Sequence, residues 1–216
     1  KRCFKKLSFH SKVVISTSIV LIIAGTLLLK ATEDISWLGA FFQSVSARTA
    51  GFSTYAIGDF TNAGLFVLCV LMFIGASPGS TGGGIKTSTF FVLFQAARSA
   101  CVKKNVCAFR RSISRQNISK ASMITVLSMM VVCVATFLLC VLEPDRTFIQ
   151  VFFEVVSAFG TVGLSTGITP GLSVAAKIVI IFVMFIGRLG AFTLLTIWIS
   201  HPEPKIRYSE ENIAIG

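Results

Sequence analysis

Apolar residues in this chain come in long uncharged blocks, without the strict alternation of a half-buried strand. Val13 to Leu29 is free of charge between Lys12 and Lys30, and Ala121 to Leu142 is free of charge after Lys120. Both fall within the roughly 17–25 residues that cross a bilayer core. Each is followed by an apolar stretch below that length, Ile35 to Ala47 and Thr147 to Phe159. A second long apolar run then starts at Ala63 in the first half and at Ser173 in the second. The pattern predicts, twice over, a crossing helix, a half-length re-entrant helix and a returning helix. A six-helix bundle with two unusually short helices is the alternative, and the sub-spanning length of those runs counts against it.

Identity between the halves supports the doubling. FFQSVSA (41–47) matches FFEVVSA (152–158), TAGFST (49–54) matches TVGLST (161–166), and MFIG at 72–75 recurs at 184–187. The first match has an offset of 111 and the other two of 112, so the three are collinear. The predicted organisation is a first repeat over 1–100, a basic linker over 101–120, a second repeat over 121–200 and a tail over 201–216. The expected class is all-α transmembrane, with two helix–pore helix–helix repeats.

Composition fits that class. Of 216 residues 54% are hydrophobic and only 13% charged, and the mean hydropathy is +0.82, whereas soluble domains run near a quarter charged. A net charge of +11 could suggest a nucleic-acid partner, but its distribution argues for none. Lys1, Arg2, Lys5, Lys6 and Lys12 precede the first apolar run; Arg98, Lys103, Lys104, Arg110, Arg111, Arg115 and Lys120 fill the centre; Lys205 and Arg207 lie in the tail. The positive-inside rule makes these three regions cytoplasmic in a multi-pass cell-membrane protein. The first apolar run is too long for a signal-peptide core and lacks a cleavage pattern. The chain starts at Lys1 without a methionine, which reads as a piece of something longer.

Catalytic chemistry finds little to work with. His10 and His201 sit at cytoplasmic ends, and the serines have no base nearby, so an enzyme is not expected. Cys3, Cys101 and Cys107 are expected to stay reduced, and Cys69, Cys133 and Cys140 to pack as small hydrophobes. No metal-ligand spacing is present. No cofactor bound by the chain is expected.

The informative polar segments are irregular ones at membrane depth. Thr49-Ala50-Gly51-Phe52-Ser53 and Thr161-Val162-Gly163-Leu164-Ser165 each end a half-spanning helix. Irregular backbone survives there only in protein or beside water, and its carbonyls can replace the hydration shell of a permeating cation. TVGLS resembles the TVGYG loop of potassium channels but has one glycine where that loop has two, so fewer ion sites are expected. An ordinary turn explains one such segment less well once two occur in matched places. The stretch SPGSTGGGIKTST (77–89) is a separate matter. It is not a Walker A loop, because Ile85 separates Gly84 from Lys86 and no strand precedes it. A Pro–Gly kink alone would not require three adjacent glycines with Ser80, Thr81 and Lys86. After its own MFIG the second copy reads RLGAFTLL, so the interruption belongs to the first copy only.

ARTAGFST (47–54), MFIGASPGSTGGGIKT (72–87), TVGLST (161–166), MFIGRLG (184–190) and the tail IRYSEENIAIG together resemble the C-terminal half of a Ktr/Trk-type potassium-uptake membrane subunit. The likeness is closer to the KtrB type than to the TrkH type. It implies four such repeats around one pseudo-fourfold pore, of which this sequence holds the third and fourth. Potassium would pass through a filter lined by the carbonyls of Thr49, Ala50, Gly51, Phe52 and Ser53 and of Thr161, Val162, Gly163, Leu164 and Ser165. Sodium is the candidate coupling ion. The resemblance also implies an intramembrane gate over 77–88, built from Gly79, Ser80, Thr81, Gly82, Gly83, Gly84 and Lys86. Expected partners are the missing N-terminal half, a second complete subunit, a cytosolic nucleotide-binding regulatory ring and the bilayer. A two-repeat cation channel completed by homodimerisation is the rival within transport. Arg188 aligns with Ala76 and is expected to hold the loop closed, through loop carbonyls or the Ser80 or Thr81 hydroxyls, and to repel cations. Snorkelling to the interface is its alternative, over about 15 Å of helix. Arg48 is expected to brace the first pore helix, and Glu154 to pair with Arg48 or face the outer vestibule.

Overall fold

The computed structural model describes residues 8–102, 106–109 and 111–190. Expectations for Lys1, Arg2, Lys5 and Lys6, for Lys103, Lys104 and Arg110, for 191–200, and for the 201–216 tail with His201 lie outside the described residues. The first-half helices are α1 (Phe9–Thr32), α2 (Trp37–Ser46), α3 (Asn62–Phe73) and α4 (Thr87–Val102). A small antiparallel hairpin follows, β1 (Cys107–Ala108) with β2 (Arg111–Ser112). The second half holds α5 (Arg115–Leu142), α6 (Phe148–Gly160) and α7 (Val174–Leu189).

Helix starts are written in hydroxyls. Ser8, Ser36, Thr61, Ser114 and Ser173 each accept a hydrogen bond from a backbone N–H in the first turn of the helix they precede, occupying a donor that would otherwise be orphaned. This explains why the helices outrun the uncharged blocks. α1 begins four residues before Val13 and takes in Lys12 and Lys30, and α5 begins six residues before Ala121. Charge ends a favourable partition into hydrocarbon, but it does not end a helix. Among the described residues, the linker expected over 101–120 therefore holds the end of α4, the hairpin and the first turns of α5. At 24 residues α1 is about 36 Å long, more than a hydrocarbon core of about 30 Å requires.

Packing reverses the pattern of a soluble protein. α1 and α5 are long and apolar enough to cross a membrane, and only 28% of each apolar window is buried; a soluble core helix would be mostly enclosed. Val20, Ile23 and Leu27 on α1, and Val126, Phe137 and Val141 on α5, face outward. The most enclosed element is instead the short α6, packed on α3, α5 and α7 and buried from Phe153 to Gly160. Phe153, Phe159, Leu68, Met72 and Leu139 form the centre of the core.

One outer feature was not expected. Glu33 and Glu143 follow the last turns of α1 and α5, and each reaches the start of a later helix. Glu33 Oε1 accepts from Thr61 N at 2.9 Å, and Glu143 Oε1 accepts from Ser173 N at 2.7 Å. A carboxylate here meets both the orphan N–H groups and the positive end of the helix dipole. The Ser173 backbone N–H, its hydroxyl and the charges of Arg146 and Lys177 hold the Glu143 carboxyl below its ordinary range. Protonation is therefore opposed by folding, so the cap stabilises the protein above about pH 4.5 and is lost as pH falls through the depressed value. Thermal unfolding should show wild type above Glu143→Gln at pH 7, with the two converging in acid. A difference that persists at pH 3 would exclude the carboxylate as its source.

Candidate functional site

The two TxGxS segments begin where α2 and α6 stop. At the first, Ala50 N and Gly51 N both donate to Ser46 O, at 2.9 and 3.1 Å, and the Ser46 hydroxyl donates to Phe52 O. At the second, Val162 N donates to Ser157 O at 3.0 Å, and Thr161 is left-handed. Positive φ recurs at the first and third positions of both: Thr49 at 94° and Gly51 at 77°, Thr161 at 50° and Gly163 at 94°. Two threonines in that region are uncommon and cost on the order of 1–3 kcal/mol each, so surrounding contacts must hold them. The segments also lie against each other. A Cβ on Gly51 would stand 1.9 Å from Val162 O, so only glycine fits.

Each segment is braced by its own short helix. Gln43 on α2 donates to Ser53 Oγ at 2.7 Å, and Ser53 Oγ donates to Tyr55 O at 2.6 Å. The aligned residue on α6 is Glu154, which is buried and accepts four hydrogen bonds. Ser165 Oγ (2.6 Å), Thr166 N (3.0 Å) and Thr166 Oγ1 (3.3 Å) donate to Oε1, and Thr169 Oγ1 (2.8 Å) donates to Oε2. Glu154 therefore does not pair with Arg48, contrary to one of the two expectations for it. The guanidinium of Arg48 instead reaches toward Ser18 O at 3.5 Å and Gly75 O at 3.4 Å, tying α1 to the start of the glycine loop.

That loop interrupts the second long run of the first half over 74–86. Its ends are stitched together: Ile74 and Ile85 form a parallel bridge, Ile85 N donates to Phe73 O at 3.0 Å, and Thr87 N donates to Ala76 O at 3.3 Å. Its middle touches both TxGxS segments. Gly83 N donates to Thr161 Oγ1 at 2.9 Å, and a Cβ on Gly82 would stand 2.9 Å from the Thr49 side chain. Lys86 Nζ donates back to Gly82 O. Gly79, Ser80 and Thr81 form an exposed tip, closed by Ser80 N donating to Ser77 O at 3.1 Å, and Gly84 supplies a positive φ of 70° on the return.

Arg188 differs from expectation. It occupies the last turn of α7, which ends at Leu189 with Gly190 at φ 84°, so it is not deep within a continuing helix. It is exposed and, among the described residues, makes no hydrogen bond with the loop carbonyls, Ser80 or Thr81. It does lie close enough to Lys86 for the two positive charges to interact. The match of FFQSVSA with FFEVVSA aligns Gln43 with Glu154, and the only signal of their bracing role is a polar side chain at the same place in two apolar helices.

The family model described as TrkH, cation transport protein, matches residues 6–209. Ktr system potassium uptake protein B of Vibrio alginolyticus is 40% identical across all of this chain and half of its own length. Potassium/sodium uptake protein NtpJ of Enterococcus hirae is 36% identical across 98% of this chain and 51% of its own. The crystal structure of the potassium transporter TrkH from Vibrio parahaemolyticus superposes with a TM-score of 0.69 at 25% identity, covering 88% of this chain and 44% of that one. The chain spans about half the length of the curated relatives it matches.

Proposed function

The chain belongs to the TrkH family of cation transport proteins, and from that premise we propose that it forms two quarters of a potassium-uptake pore whose other two quarters lie elsewhere in its parent subunit. Membership of a cation-transport family bears out the reading of a transporter rather than an enzyme. The observation that carries the proposal is the meeting of two TxGxS segments, each on a half-length helix and each braced from within that helix. Carbonyls of 49–53 and 161–165 are the proposed ion ligands, with potassium as cargo and sodium as the coupling candidate.

The exposed face of α2 supports that reading. Phe42 and Val45 on α2 are 37% and 40% exposed, while their aligned partners Phe153 and Val156 on α6 are 0% and 1% exposed. Among the described residues, the neighbour that encloses α6 has no counterpart beside α2. Two further quarters would cover that face, and so would a second copy of this chain. Relatives of twice the length favour the former. Potassium rescue of an uptake-deficient cell by the full parent chain, but not by these 216 residues alone, is the expected result. Rescue by the 216 residues alone would favour the homodimeric channel, and no rescue by either would remove potassium transport.

Gating is assigned to the loop over 77–88, with Gly82, Gly83 and Lys86 beneath the filter and Gly79, Ser80, Thr81 and Gly84 forming its turn. Lys86 and Arg188 add two positive charges on the cytoplasmic side of that point. Arg188→Ala is expected to raise basal potassium flux by roughly threefold to tenfold, the scale of one half-screened charge. Flux and gating identical to wild type in the full chain would end that role for Arg188. Pairing with a second complete subunit, and regulation by a cytosolic nucleotide-binding ring, belong to the same proposal through the Ktr/Trk-type resemblance of the sequence.

A further inference from the structure

A cavity of about 540 Å³ lies apart from the TxGxS segments, between the first turns of α1, α4 and α5 and the β1–β2 hairpin. Arg111, Lys120 and His10 line it, and among the described residues neither Arg111 nor Lys120 has a carboxylate partner. Hydroxyls of Ser88, Thr89 and Ser112 add donors. Ser114, the N-cap of the 28-residue α5, brings the positive end of that helix to the same wall. Asn117 adds an amide, and the rest of the lining is apolar, including Val13, Phe91 and Ile124.

We propose that this cavity seats the phosphate headgroup of an anionic phospholipid from the cytoplasmic leaflet. The basic and hydroxyl groups match a phosphate diester, and the apolar wall matches the first methylenes of its chains. A free phosphate would use only the first half of that lining. Basic pockets between the cytoplasmic ends of membrane helices attract anionic headgroups for the same electrostatic reason. Position gives the site a consequence. Ser88 and Thr89 follow directly on Lys86 and Thr87 at the end of the glycine loop, so a headgroup held there bears on the helix from which that loop hangs. The assignment rests on the cytoplasmic orientation of the hairpin, which has its own test below.

The experiment is native mass spectrometry of the purified full parent chain with phosphatidylglycerol or phosphatidylcholine added. Wild type should retain phosphatidylglycerol and lose phosphatidylcholine. Arg111→Gln with Lys120→Gln should weaken phosphatidylglycerol binding about 30-fold, two basic side chains at about 1 kcal/mol each and 1.4 kcal/mol per decade. The exchange Arg111→Lys with Lys120→Arg should retain it, separating charge from folding. Equal retention of both lipids, or unchanged retention in the double glutamine variant, overturns the site. Displacement of phosphatidylglycerol by excess inorganic phosphate assigns the cavity to a soluble anion and overturns the lipid. Orientation is read separately, from the exposed Cys107 in a variant lacking the other cysteines. Labelling by an impermeant maleimide only after permeabilisation supports it, and labelling of intact cells overturns it whatever the lipid result.

Discussion

Gly51→Ala in the full parent chain is expected to abolish potassium uptake at normal membrane abundance, while Gly163→Ala leaves about a tenth of it. The two glycines are aligned, and both have positive φ, 77° and 94°. An L side chain at either costs roughly 1–2 kcal/mol of backbone energy, or about tenfold in a rate that depends on that conformation. Gly51 carries a second and larger penalty. Its Cβ would stand 1.9 Å from Val162 O, well inside van der Waals contact, and the opposing atom is backbone. It can be relieved only by separating the two segments that the proposed ion path needs together. Beyond its two chain neighbours, Gly163 has no atom of the described residues within 4 Å of the added carbon. Uptake assays at matched expression check the order of the two. Equal loss in both variants would mean that φ alone decides, and wild-type uptake in Gly51→Ala would remove the filter assignment.

How much of this could be read beforehand divides along a physical line. Hydropathy reports where side chains partition, so α1, α5 and the half-length α2 and α6 were legible as blocks. It says nothing of where the backbone stops being helical, which the hydroxyl caps at Ser8 and Ser114 and the carboxylates at Glu33 and Glu143 decide. The TxGxS segments were legible because two glycines in matched places constrain φ. The glycine loop was legible as an interruption, but its contact with Thr161 was not, since that bond joins residues 78 positions apart. The end of α7 was hidden for a related reason. The apolar run around Arg188 continues in sequence, yet α7 ends at Leu189, with Gly190 as its cap.

Glu154 is where chemistry and symmetry diverge, and its replacement is the second large effect expected. Gln43 holds one hydroxyl, that of Ser53, whereas Glu154 holds four donors from Ser165, Thr166 and Thr169. Glu154→Ala leaves those donors facing a small apolar void, and a buried donor left without an acceptor costs about 1–3 kcal/mol. Glu154→Gln is a different perturbation. Its carbonyl oxygen can keep the three donors now on Oε1. Its amide can donate to Thr169 Oγ1, whose own proton turns toward Ser165 Oγ at 2.9 Å. Every partner is then still satisfied, but through neutral hydrogen bonds about half as strong as charge-assisted ones. Thermal stability should fall sharply for alanine and by about 1 kcal/mol for glutamine. A brace that acts on the ion path also predicts a selectivity change: folded Glu154→Gln should discriminate potassium from sodium less well than wild type. Unchanged selectivity alongside the lowered stability would reduce Glu154 to a structural hub. Full stability and uptake in Glu154→Ala would contradict the hydrogen-bonded geometry itself.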